Sequence, residues 1–256
     1  MQTIRDILDF LWTVAPEEGK ESWDNVGHLV GRQNAPVDHI LVSLDITMPV
    51  IQEAIEKQVQ LIVSHHPLIW DTYKHVTDSV FQQDKVLTLA EHQIGAICMH
   101  TNLDEAEDGV DDTLAETLGL TPEGHLDEGT IGHVSTLPEP VALPDFLRTV
   151  KEKLHANGLR YCDSGRPVQR IATGCGSCGE YLADAVKAGC DTFITGDVKY
   201  SVMIDALGQG INLIDAGHYP TENAIVAKLQ RKLQVQFPNI QVEIAQRIAQ
   251  PDQFFI

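Results

Sequence analysis

A strand, a helix and a second strand follow one another between residues 39 and 66, and this unit constrains the fold more than any other feature. The run "HILVSLDI" predicts the first strand, and "LIVSHH" predicts the second. Between them, "TMPVIQEAIEKQ" predicts a helix with Thr47 as its N-cap and Pro49 in its first turn. A helix that joins two such strands is typical of a right-handed crossover, so we predict an α/β fold.

The same order of elements recurs later in the chain. Residues 40–66 align with residues 171–197 without a gap, at an offset of 131 residues, and strand falls on strand and helix on helix. Few residues are identical, so the alternative is a chance match between segments that alternate strands and helices. We predict duplicated layered α/β units with mostly parallel mixed sheets, the first over residues 1–125 and the second over residues 126–256.

Composition excludes several classes of function. The apolar runs are shorter than the ~18 to 20 residues that span a bilayer, and the N-terminus has no signal-peptide pattern, so we expect a soluble protein. The chain has five cysteines, and this odd number argues against a secreted protein held together by disulfides. We therefore expect the protein to be located in the reducing cytoplasm. A net charge of −19 without a long basic cluster disfavours nucleic acid and membranes as partners.

Residues with metal-binding side chains follow several predicted strands. Ligands of open α/β sheets collect at the carboxyl ends of strands, where His65 and His66 stand before Pro67. If the chain turns there, neighbouring Cα atoms about 3.8 Å apart match the ~3.5 to 4 Å spacing of paired ions, so each histidine could hold a different ion. The alternative is one surface histidine and one half-buried, hydrogen-bonded histidine.

Two more motifs extend this set. "HTNLD" supplies Asp104 as a ligand, with His100 as a ligand, an orienting group or a proton-transferring catalytic residue. "GHYPTE" supplies His218 and, in the first turn of a predicted helix, Glu222, which could bridge two ions or complement the helix dipole. Three imidazoles and two carboxylates suit zinc, manganese, iron or cobalt, and two such ions would activate water for hydrolysis.

A glycine-rich stretch, "GCGSCG" at residues 174–179, contains Cys175 and Cys178. This spacing fits a redox pair or a thiolate metal site, but we favour a tight loop that brings backbone close to a helix N-terminus. Asp197 lies where the first repeat has its two histidines, and we expect it to line the same cleft.

Taken together, these motifs resemble a known family. It is the dinuclear-metal-centre family named after a yeast Ngg-interacting factor, also called the GTP cyclohydrolase 1 type 2 homologs. The resemblance spans nearly the whole chain and rests on "WDNVGHLVG", "LIVSHHPLIW", "HTNLD", "TGCGSCGE", "ITGDVKY" and "DAGHYPTE", in that order.

The resemblance implies a duplicated α/β fold and a toroidal homohexamer with metal pairs facing an internal cavity. It also implies that His65 and Asp104 hold one ion, that His66 and His218 hold the other, and that Glu222 bridges both. Larger relatives carry an inserted domain between the halves, for which residues 120–170 are too short.

The expected function is therefore that of a metal-dependent hydrolase with two divalent ions per subunit, acting on a nucleotide-like or cyclic-amide small molecule. GTP is one candidate, although the sequence has neither a Walker-type loop nor a basic clamp for a triphosphate. The alternatives are a non-catalytic metal-binding or scaffold ring protein and a thiol redox protein that uses Cys175 and Cys178.

Overall fold

The computed structural model describes residues 1–126 and 130–255. Its strands are β1 (Gln2–Thr3), β2 (Gly27–Val30), β3 (Pro36–Val37), β4 (His39–Ser43), β5 (Leu61–Ser64), β6 (Gly95–Cys98), β7 (Pro122–His125), β8 (His133–Val141), β9 (Arg160–Cys162), β10 (Val168–Thr173), β11 (Thr192–Thr195), β12 (Asn212–Asp215) and β13 (Gln241–Ile244). Its α-helices are α1 (Ile4–Val14), α2 (Met48–Glu56), α3 (Phe81–Glu91), α4 (Thr101–Asp104), α5 (Val110–Leu118), α6 (Leu143–Lys153), α7 (Leu182–Lys187), α8 (Tyr200–Gln209), α9 (His218–Glu222) and α10 (Ala224–Gln236). Within the described residues, none of these helices has the length and apolar character needed to cross a bilayer.

The chain divides into two compact units. Unit 1 consists of Met1–Glu107 and Ile225–Ala249, and unit 2 consists of Asp108–Ala224 with the residues from Gln250 onward. The boundary predicted after residue 125 therefore falls inside unit 2. The chain returns to unit 1 near its end, so each unit is built from two separate segments.

Unit 1 contains a five-stranded sheet in the order β13-β4-β5-β6-β2. The first four strands are parallel, and β2 is antiparallel to β6. Every residue of β4, β5 and β6 is buried, which explains their continuous apolar runs. The predicted start of α2 is confirmed, because the Thr47 side chain accepts a hydrogen bond from the backbone N–H of Val50.

The buried Glu53 of α2 binds the segment that follows β13, although the two are far apart in the sequence. Its carboxylate accepts the backbone N–H groups of Gln246 and Arg247, each at 2.9 Å, and contacts Lys57 Nζ at 2.9 Å. These contacts compensate the charge of a side chain that is almost fully buried. They also fix the segment that follows β13 against α2.

Unit 2 contains a six-stranded sheet in the order β7-β8-β10-β11-β12-β9. Strands β10, β11 and β12 are parallel, and the remaining pairs are antiparallel. Its core includes Phe193, Leu213 and Ala185. Each unit thus contains three parallel strands that follow one another in the chain, β4-β5-β6 in unit 1 and β10-β11-β12 in unit 2, with a helix in each crossover. This confirms the α/β class; the duplication itself stays a prediction.

Candidate metal centre

The chain turns at the end of β5, where the two adjacent histidines lie. The backbone N–H of His65 still donates to Ser43 O at 3.3 Å, and that of His66 donates to Leu44 O at 2.9 Å. Yet the two imidazole centroids are only 4.9 Å apart, with planes inclined by 44°. The rings therefore lie side by side instead of on opposite faces of a continuing strand.

His65 is completely buried and held in one orientation. Its Nδ1 donates to the backbone carbonyl of Met99 at 2.8 Å. A carbonyl oxygen only accepts, so Nδ1 carries a proton and Nε2 is the ring nitrogen that could bind a metal ion. Nε2 lies 3.4 Å from Oδ1 of Asp104, and together the two atoms offer the nitrogen and oxygen donors of a divalent-ion site.

His66 is oriented by a carboxylate that the sequence motifs did not identify. Its Nδ1 donates to Asp45 Oδ1 at 2.8 Å, so Nε2 is the ring nitrogen that could bind a metal ion. Histidines that bind metals commonly donate their other ring nitrogen to a carboxylate in this way. Asp45 lies two residues beyond the end of β4 but inside the predicted strand "HILVSLDI", so the sequence pattern gave no signal for its role.

His100 completes a group of three imidazoles in unit 1. One ligand atom each of His65, His66 and His100 lies within 4.8 Å of the others, so this group could hold a metal ion. The Nδ1 of His100 donates to Asp24 Oδ1 at 3.0 Å, and Thr101 donates to Asp24 through its backbone and its hydroxyl. Although burial opposes the charge, these hydrogen bonds lower the pKa of Asp24 to about 2.

Unit 2 presents a histidine and a carboxylate on the short helix α9. His218 Nε2 lies 3.1 Å from Glu222 Oε2, and His218 Nδ1 donates to Asp197 Oδ2 at 2.9 Å. Glu222 is buried, whereas Asp197 is exposed. Asp197 therefore belongs to this part of the site, as its position after β11 predicts, and its contact is a hydrogen bond to the His218 ring.

The glycine-rich loop after β10 lies directly against Glu222. A Cβ on Gly176 would stand 2.1 Å from Glu222 Oε1 and 3.2 Å from His218 Nε2, and the residue has a φ of +56°. Gly196 is equally confined, because a Cβ there would lie 2.7 Å from the backbone of Gly176 and of His218. Only glycine allows such close contact between backbone and carboxylate, which agrees with the tight-loop interpretation of "GCGSCG".

The two cysteines of this loop have structural contacts. The Cys175 N–H donates to Asp111 Oδ1 at 2.8 Å, and Cys178 Sγ donates to the Cys175 carbonyl at 3.1 Å. Neither cysteine is disulfide-bonded. Asp111 also accepts the Gly132 N–H at 2.7 Å, and its burial raises the pKa of its carboxyl group. Asp111, which the motifs did not indicate, thus fixes the start of the loop.

A common arrangement links the four histidines of the predicted site. In each of them Nδ1 donates to an oxygen atom: Met99 O for His65, Asp45 for His66, Asp24 for His100 and Asp197 for His218. Each Nδ1 is thereby engaged as a donor, so Nε2 is the ring nitrogen that could bind a cation. These residues fit divalent metal ions; how they are shared between ions stays a prediction.

Comparisons with known proteins identify relatives of this chain. The model of the family Duf34/NIF3 (NGG1p interacting factor 3) matches residues 2–252. A Clostridium acetobutylicum protein named GTP cyclohydrolase 1 type 2 homolog is 34% identical over 90% of this chain and 89% of its own length. A Helicobacter pylori protein named GTP cyclohydrolase 1 type 2 is 30% identical over 90% of this chain and 92% of its own length. The crystal structure of a Staphylococcus aureus hypothetical protein is similar with a TM-score of 0.90, at 29% identity and covering 99% of both chains.

Proposed function

Because the chain belongs to the Duf34/NIF3 family, we propose that it binds two divalent metal ions and hydrolyses a nucleotide-like or cyclic-amide substrate. The observation that carries this proposal is the set of histidines whose Nδ1 atoms are all held by oxygen acceptors. Histidines that bind metals almost always donate their other ring nitrogen to an oxygen acceptor, which fixes the tautomer and the orientation of the ring.

The assignment of ions follows the family resemblance. By that resemblance His65 and Asp104 would hold one ion, His66 and His218 would hold the other, and Glu222 would be a ligand of both. Zinc, manganese, iron and cobalt all suit this mixture of imidazole and carboxylate donors. The 3.4 Å separation of His65 Nε2 from Asp104 Oδ1 and the 3.1 Å separation of His218 Nε2 from Glu222 Oε2 support the pairing within each unit.

When bound, such ions lower the pKa of a coordinated water and polarise a substrate oxygen, which is the chemistry of hydrolysis. The role left to His100 is proton transfer. Its Nδ1 donates to Asp24 at 3.0 Å, which orients the ring and leaves Nε2 to exchange a proton with the substrate.

The substrate class follows from the relatives and from the charge of the chain. The Clostridium and Helicobacter proteins carry names that refer to GTP cyclohydrolase, which makes GTP the first candidate to test. With 37 acidic and 18 basic residues, the chain suits binding of a phosphorylated substrate through the ions instead of through a basic clamp. We further propose a cytoplasmic homohexamer, on the basis of the family resemblance.

The test is elemental analysis of protein purified without added metal, followed by assays of nucleotide hydrolysis. We expect two ions per chain in the wild type and reduced metal content and turnover in His66→Ala and Glu222→Ala. His92→Ala, which changes an exposed histidine after α3, serves as the control. Full metal content in both site variants would refute the ligand assignment. Metal binding without turnover of any nucleotide or cyclic amide would favour a non-catalytic ring protein.

A further inference from the structure

Two exposed tryptophans stand beside His100 in unit 1. Trp23 is 62% exposed and Trp70 is 51% exposed, although tryptophan is normally well buried. Their ring centroids lie 6.0 Å and 5.2 Å from that of His100, with planes inclined by 72° and 87°. Both large aromatic surfaces thus border the predicted proton-transferring residue.

The backbone that carries these rings is fixed. Asn25 Nδ2 donates to the carbonyl of Ile69 at 2.7 Å, which links the segment after Trp23 to the residue before Trp70. Asp24, the neighbour of Trp23, accepts hydrogen bonds from His100 and from Thr101. The exposure of the two rings is therefore a feature of an ordered surface, and their separation from His100 is set by the same contacts that orient that histidine.

Exposing large aromatic side chains to water is energetically unfavourable. Two such side chains on an ordered surface beside His100 therefore indicate a ligand-binding surface. The remaining tryptophan, Trp12, is partly buried and packs against Gly27. Aromatic side chains bind planar rings by stacking, which needs no opposite charge. That mode of recognition suits a strongly acidic chain.

We infer that Trp23 and Trp70 bind the planar heteroaromatic ring of the substrate, such as a purine, and place the reacting part of the molecule next to His100. This inference rests on the proposed function and names the part of the substrate that the protein recognises directly. Trp23 and Trp70 are thus specificity-determining residues, and the ring that they bind is the feature that a competing sugar phosphate lacks.

The test is a titration of tryptophan fluorescence with guanosine and adenosine, using metal-depleted and metal-loaded protein side by side. Ribose 5-phosphate, which has no aromatic ring, is the control ligand. We expect both nucleosides to quench the emission and ribose 5-phosphate to leave it unchanged. Trp23→Ala and Trp70→Ala should each weaken nucleoside binding by about 5- to 100-fold, as expected for loss of one stacking partner.

Three controls make the result decisive. Trp23→Phe and Trp70→Phe keep an aromatic ring and should retain affinity within about threefold, and Trp12→Phe should bind as the wild type does. Metal content should be unchanged in every tryptophan variant.

Unchanged nucleoside affinity in both alanine variants, or no nucleoside binding by the wild type, would overturn the inference. Loss of metal together with affinity would also overturn it, because the tryptophans would then act by supporting the metal-binding residues and not by binding the ring. A wild type that binds no metal but retains tryptophan-dependent nucleoside binding would refute the proposed function alone.

Discussion

The Nδ1 atom of His66 donates to Asp45 Oδ1 at 2.8 Å, so the residue after β5 is oriented by a residue that follows β4. Removing this carboxylate should remove the hydrogen bond that orients the His66 ring and lower the basicity of Nε2. We expect Asp45→Ala to reduce metal affinity by about 10- to 100-fold, measured by competition with a chelator. Asp38→Ala, an exposed position before β4, is the matched control and should bind metal normally. Equal affinity in the two variants would contradict the role of Asp45.

The confined space around Gly176 leads to a second prediction. In Gly176→Ala the new Cβ would overlap Glu222 Oε1 and strain a φ of +56°, so both stability and metal content should fall. Gly189→Ala also places a Cβ at a positive φ, +75°, but this Cβ would meet nothing within 4 Å. The stability of this variant therefore reports the backbone strain without a side-chain clash. We expect Gly189→Ala to lose roughly 1 kcal/mol of unfolding free energy without loss of metal. Denaturant unfolding and elemental analysis of both variants provide the measurement, and normal metal content in Gly176→Ala would contradict the prediction.

Two helices of unit 1 have a glutamine in the left-handed conformation two residues after their last helical residue. Gln58 follows α2 and Gln93 follows α3, each with a φ of +57°. In unit 2 the corresponding positions after α7 and α8 are Gly189 and Gly210. We therefore expect Gln58→Gly and Gln93→Gly each to stabilise the fold by roughly 0.5 to 1 kcal/mol, because glycine adopts this conformation without the Cβ clash. Thermal unfolding would test this, and a lower midpoint in both variants would show that the glutamine side chains make compensating contacts.

The sequence was most informative where structure depends on near neighbours. Thr47 was identifiable as an N-cap because capping involves residues only three positions away. His65 and His218 could be located because the carboxyl ends of predicted strands are recognisable from local apolar runs. The connection of β13 to β4 could not be predicted, since it pairs residues about two hundred positions apart through a short strand of ordinary composition.

The residues that orient the histidines could not be predicted from the local sequence either. Asp24 and Asp45 are two of 37 acidic residues, and nothing in their local sequence marks them as hydrogen-bond partners of His100 and His66. The acceptor for His65 is a backbone carbonyl, that of Met99, which no side-chain motif can indicate. The candidate ligands were thus predictable as residue types at strand ends, whereas the atoms that fix their orientation depend on long-range packing.

The depressed pKa of Asp24 makes a prediction about acid stability. Its carboxyl group titrates at about 2 in the folded protein and near 3.8 without its partners, so the folded state favours the charged form. The stabilisation is fully present above pH 3.8 and is lost as the pH falls through about 2. At pH 7 we expect metal-depleted Asp24→Asn to be less stable than the wild type by about 2 kcal/mol, measured by denaturant unfolding.

This difference should shrink as the pH is lowered from 4 towards about 2, because both proteins then carry a neutral side chain at position 24. Metal-depleted protein is required, since protonation of the ligands would otherwise add its own pH dependence. The unfolding free energies of Asp38→Asn and the wild type should be nearly equal at every pH, because the exposed side chain of Asp38 contributes little to stability. A stability difference between wild type and Asp24→Asn that stays constant from pH 7 to pH 2 would mean that the hydrogen bonds to His100 and Thr101 act through geometry and not through the charge of Asp24.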